Sequence, residues 1–145
     1  MNPTFESGLY SLMANSPVLT DFWGTDDNKN SEYQVFYLGA FDPVSTPPYC
    51  VFWRHKRQPE MDLDGIPRQF VSGYFFEIYH TSSWESLELQ ARLRTFLESL
   101  EGTVVGGVFV QSLIVMDDFH VIPPKEERIR LYKGVLDVEV TYNPN

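Results

Sequence analysis

This sequence has a single cysteine, Cys50, among its 145 residues. One thiol excludes an internal disulfide, which fits a reducing compartment. No apolar run approaches the roughly 20 residues that span a bilayer, so no membrane partner is expected. The first residues, MNPTFESGLYS, lack a basic stretch followed by an apolar one, so no secretory signal is expected. Cations are scarce: 11 Lys and Arg stand against 20 Asp and Glu, for a net charge of −9. That balance argues against non-specific DNA binding, whose affinity comes from clustered cations. His55, His80 and His120 stand apart, with no HxxxH and no CxxC, so zinc is unsupported. Asp26, Asn28 and Asn30 imitate the start of an EF-hand loop, but Ser31 fills its glycine position and Tyr37 its glutamate position. Gly102, Gly106 and Gly107 follow a helix rather than opening one and make no phosphate loop. No cofactor and no metal are therefore expected.

What is present is material for a core. The chain carries 11 Phe, 8 Tyr and 3 Trp, and its length suits one domain over residues 1–145. Asn2 and Pro3 suit a helix start. Phe5, Leu9, Leu12 and Met13 then form one apolar stripe at helical spacing, which Asn15-Ser16-Pro17 should end. A short second turn through Val18, Leu19, Phe22 and Trp23 and a polar loop, Gly24 to Glu32, follow. YQVFYLGAF (Tyr33 to Phe41) and YCVFW (Tyr49 to Trp53) read as strands. The proline-rich Asp42 to Pro48 connects them.

A polar stretch runs on to Arg68, with a turn signal at Asp64-Gly65. QFVSGYFFEIYH, Gln69 to His80, is apolar on both alternations and is expected centrally, covered on both faces. A helix follows. Ser82 and Glu85 form a capping box; Leu89, Leu93, Phe96, Leu97 and Leu100 form its stripe; Gly102 occupies the place of a C′ glycine. Gly106 to Met116 reads as a strand, Asp117 to Arg130 as a long polar connection. In the last strand, Leu136, Val138, Val140 and Tyr142 alternate with Asp137, Glu139 and Thr141, which gives it one wet face. The order implies an α+β domain: a mostly antiparallel β-sheet with two helices packed on one face.

The chemistry-bearing residues point away from catalysis. Cys50 lies inside an apolar strand, where cysteine behaves as a small hydrophobe. The carboxylate pairs Asp26-Asp27 and Asp117-Asp118 fall in expected loops, where solvated turn residues are the default. Arg54, Lys56 and Arg57 form the one dense basic cluster, beside Trp53. The polar connections Arg54 to Arg68 and Asp117 to Arg130 are long for a compact domain, and such segments on a rigid sheet are common places for partner contacts.

The order of elements resembles the tail terminator, or tail completion, proteins of long-tailed bacteriophages, a head–tail joining family. The opening helix FESGLYSLMANSPVL, the strand PPYCVFWRHKRQ and the MDLDG turn carry the likeness. So do FVSGYFFEIYHTSSWE leading into the helix SLELQARLRTFLESLEGTVVGGV, the late Asp117-Asp118, and the closing strand YKGVLDVEVTY. Gly24 to Glu32 and Asp42 to Pro48 depart from a typical member. The resemblance implies a non-enzymatic virion protein of the tail or neck, assembled in the host cytoplasm. It would form a homo-hexameric ring that caps the tail tube protein and meets the head connector or stopper protein. DNA would pass through an acidic channel without specific binding. The expected interface residues are Arg54, Lys56, Arg57, Arg68, Asp117, Asp118, His120, Lys125 and Arg128. The alternative is a monomeric connector-side neck adaptor. A small hydrolase would need a convergent polar cluster that the sequence does not offer.

Overall fold

The computed structural model describes residues 4–16, 19, 35–37, 48–61, 67–124 and 131–143. The expected turn at Val18, Phe22 and Trp23, the loop Gly24 to Glu32, and the Asp64-Gly65 turn lie outside them, as do Lys125 and Arg128.

Helix α1 spans Phe5–Asn15. Its cap is Thr4 rather than Asn2: the Thr4 hydroxyl accepts from the Ser7 N–H at 3.1 Å, and the Ser7 hydroxyl accepts from the Thr4 N–H at 2.9 Å. This reciprocal pairing satisfies two N–H groups that a helix start would otherwise leave orphaned. Phe5, Leu9 and Met13 of the expected stripe are buried, whereas Leu12 turns outward. The helix ends before Ser16, as the Asn-Ser-Pro run requires.

Strand β1 is Val35–Tyr37, β2 is Tyr49–Met61 and β3 is Pro67–His80. Helix α2 spans Ser83–Glu98, followed by β4, Val104–Val105, β5, Val108–Val121, and β6, Tyr132–Tyr142. The sheet order is β1-β2-β3-β6-β5-β4. All neighbours are antiparallel except the short β1, which runs parallel to Cys50–Phe52 of β2. The class is α+β, as expected. Both helices contribute to one core on one face of the sheet: Phe5, Leu9 and Met13 from α1, Leu89, Leu93 and Leu97 from α2, with Phe52, Tyr74, Phe76, Leu136 and Val138 beneath them.

Three expectations are corrected. Strand β3 is central, but only its even side, Ser72 to His80, is covered by the helices. Phe75, Glu77 and Tyr79 stay partly open on the other. Apolar residues on both alternations can arise when aromatic and long side chains pair laterally on a half-open face, and Trp53–Phe75 and Tyr49–Tyr79 do so here. Second, much of the polar stretches is strand rather than loop. Strand β2 continues to Met61 and pairs with β3 as an arm, and β5 continues through Asp117-Asp118 to Val121. Backbone pairing in an antiparallel sheet does not require apolar side chains, so composition hid both extensions. Third, Gly102 is not the C′ residue. The α2 cap is Ser99, and Gly102 sits further on at φ 80, where it serves the turn into β4.

Candidate interaction interface

The basic cluster lies where β2 leaves the core and becomes an exposed arm. Each described cation there has a partner within the chain. Arg54 Nη1 donates to Glu6 Oε1 of α1 at 3.2 Å, and the Tyr74 hydroxyl donates to the same oxygen at 2.8 Å. Burial, and then the neighbouring Glu6 carboxylate, push the Tyr74 phenol up, so it acts purely as a donor. Lys56 Nζ meets Glu139 Oε2 at 3.1 Å, and His55 Nε2 lies 3.0 Å from Asp137 Oδ1. The His55 ring lies 4.3 Å from that of Phe75, in space that Gly73 leaves open. Arg57 stacks its guanidinium 3.9 Å above the Phe70 ring. His55 and Lys56 thus tie the arm to the outer face of the sheet, while Arg54 and Arg57 lie on the face that α1 covers. Arg68 stands on β3, near the turn end of the same arm.

The second group of expected residues divides between structure and surface. Asp118 and His120 point toward α2. Gln90 Nε2 donates to Asp118 Oδ1 at 2.6 Å, with Phe119 O at 3.0 Å and Val135 O at 3.3 Å around it. Arg94 reaches the other Asp118 oxygen at 2.9 Å, and Ser86 Oγ lies 2.8 Å from His120 Nε2. Burial lowers the His120 pKa against the opposing pull of Asp118, which favours the neutral ring in this seam. Asp117, by contrast, faces outward and accepts the Asp118 backbone N–H at 2.9 Å. Adjacent acids thus take opposite roles because successive strand side chains point to opposite faces, and the register shift between Val115 and Asp117 sets which of the two faces α2. They lie on a strand, not in the expected loop. A shallow groove of about 250 Å³ runs beside this seam, between Leu87 of α2 and Phe119.

Gln90, Ser86 and Arg94 were not legible as an anchor. A signal existed: Ser86 and Gln90 share the helical spacing of Leu93 and Leu97, which places two polar groups on the buried stripe. The exposed apolar row on β5 was also missed. Ile114 is 52% exposed, Met116 58%, Phe119 43% and Val121 43%.

Among the described residues no group of three His, Cys, Asp or Glu converges to hold a metal. Cys50 is fully buried, and burial, then the Glu77 charge, push its thiol up, away from the thiolate that nucleophilic chemistry needs. Among the described residues no helix is long and apolar enough to cross a membrane.

Among the described residues, the fold presents a sheet covered on one face by helices, with a charge-laced outer face. No protein-family model and no curated protein matches the chain. Among solved structures, a chain described as "Virion of native gene transfer agent (GTA) particle" is similar at 10% identity. Its TM-score is 0.64, and the match covers 98% of this chain and 96% of that one. A second solved chain is similar at 15% identity and a TM-score of 0.50, over 94% of this chain and 96% of that one. At such identities the likeness is one of fold, over essentially the whole domain.

Proposed function

We propose that this chain is a structural protein of a phage-like virion. In this reading it caps the tail tube and joins it to the head connector, as a homo-hexameric ring through which DNA passes. The observation that carries the reading is the end-to-end match in fold to a chain of the gene transfer agent virion. Two features support it. The site offers docking surfaces rather than a reaction centre, with an arm on one edge and an apolar row on the other. The net charge of −9 suits a channel that must not hold DNA, because phosphate contacts by cations are what create affinity.

The test is to mix the purified protein with assembled phage tail tubes, then to image the tube ends by negative-stain electron microscopy. The expected result is a ring of density at one end of each tube. Tubes that stay bare at saturating protein overturn the tail-cap reading. A single bound copy without a ring moves the assignment to the connector-side adaptor.

A further inference from the structure

Among the described residues the sheet has two open edges, on opposite sides. Strand β1 pairs with Cys50–Phe52 of β2, and among the described residues the β2 edge is open from His55 onward. Strand β4 covers only the start of β5, and Gly102 and Thr103 take up the outward groups of Val110. The Leu113 N–H is taken by Glu101 Oε1 at 3.3 Å. The free rim of β5 therefore runs from Ile114 to Val121.

The two edges differ in chemistry. The open β2 edge carries His55, Lys56 and Arg57 in consecutive positions; the β5 rim carries the outward Asp117 amid the exposed Ile114, Met116, Phe119 and Val121. We infer that these edges are the two halves of one contact between copies of this chain: the basic β2 arm of one copy lies against the acidic, apolar β5 rim of the next. The inference rests on the ring reading above and names its surfaces.

Two observations favour this occupant. First, opposite charge on opposite edges is what a head-to-tail contact uses, and a head-to-tail contact closes into a ring when its rotation allows. Second, a row of exposed apolar side chains along one rim marks a surface that is covered in the assembled state.

The contact is made by side chains rather than by extending the sheet. The β2 edge is interrupted by the register shift at His55 and by Pro59, which has no N–H. On the β5 rim, Glu101 and Asp117 already occupy the N–H groups of Leu113 and Asp118. Such capping and bulging blunt an edge against indiscriminate strand addition and leave charge and shape to choose the partner.

The experiment is light scattering across a concentration series for the wild type, Arg57→Glu, Asp117→Lys, the double variant carrying both, and Ile114→Lys. Circular dichroism confirms that each is folded. The wild type is expected to associate. Each single variant should raise the dissociation constant at least tenfold, and the double variant should recover most of that loss because it swaps the charges. Should a reversal unfold the chain, the neutral series Arg57→Gln and Asp117→Asn takes its place, with a smaller loss expected. A wild type that stays monomeric at every concentration overturns the contact, while the tail-cap reading still stands or falls on tube binding. A wild-type oligomer indifferent to the single variants overturns the contact but keeps the ring. Single losses that the double variant does not recover show that the two charges do not face each other, and overturn it as well.

Discussion

Gln90 of α2 fills the space that Gly134 of β6 leaves open: any Cβ at position 134 would overlap the Gln90 carboxamide. The Gln90 nitrogen cannot retreat without losing Asp118, Phe119 and Val135, and its oxygen is buried with no partner of its own. Gly134→Ala is therefore expected to destabilise the fold by about 1–3 kcal/mol, as overpacking does. In a Gln90→Ala background the same change should cost far less, since the clash is gone. Urea denaturation of the two single variants and the double variant checks this. Strictly additive losses would contradict the coupling.

A second close approach joins α1 to the turn before β5. A Cβ at Gly8 would overlap the Gly106 nitrogen, and one at Gly106 would overlap the Thr4 carbonyl. Gly106 also sits at φ 59, a conformation that side chains disfavour. The obstacles are backbone atoms, which cannot swing aside. Gly106→Ala should thus lower stability by about 2 kcal/mol or more. Thermal melting would show it, with Gly102→Ala as the control: Gly102 shares the positive φ but has open space around it.

Cys50 is expected to behave as a core residue. Native protein should react negligibly with a thiol reagent at pH 8, and reactivity should appear along the unfolding curve as denaturant rises. Fast labelling of the folded chain would mean that the β1–β2 edge opens far below the global unfolding free energy.

His80 sets a pH dependence. Its Nδ1 accepts the Ser82 N–H at 3.0 Å, and its Nε2 lies 3.1 Å from Glu85. Burial lowers its pKa, with Glu85 pulling the other way. The unfolded ring protonates near pH 6.5 while the folded ring resists, so stability is full above that value. It is lost as the pH falls toward the folded value, by at most about 1.4 kcal/mol per unit for this one group. Chemical denaturation between pH 7.5 and 5 should show the decline, and His80→Gln should flatten it. An unchanged slope in that variant would assign the decline to other groups.

The two helices, the central placement of β3 and the half-wet alternation of β6 were all legible in the sequence. Leu89 to Leu97 and Leu136 to Tyr142 repeat at periods that only one element type can use. What was not legible was strand length. Beyond Trp53 and beyond Met116 the side chains turn polar, yet the backbone goes on pairing, because its partners on β3 and β6 are already fixed in place. The partners of the basic cluster were hidden for a different reason. Glu6, Asp137 and Glu139 lie far from it in the chain, and only the sheet order brings them together. Asp117 and Asp118 read as equals because a register shift leaves no mark in a single sequence.

The strand that closes this sheet comes last. β6 lies between β3 and β5, and its pairings, such as Phe70 with Tyr142 and His80 with Tyr132, join segments far apart in the chain. Before β6 is made, the β2–β3 hairpin and β5 each lack their inner neighbour, and Leu136, Val138 and Val140 are missing from the core. Such non-local closure is slow, and it cannot begin on the ribosome until this strand has emerged. β6 is thus the piece that turns two separate half-sheets into one cooperative unit.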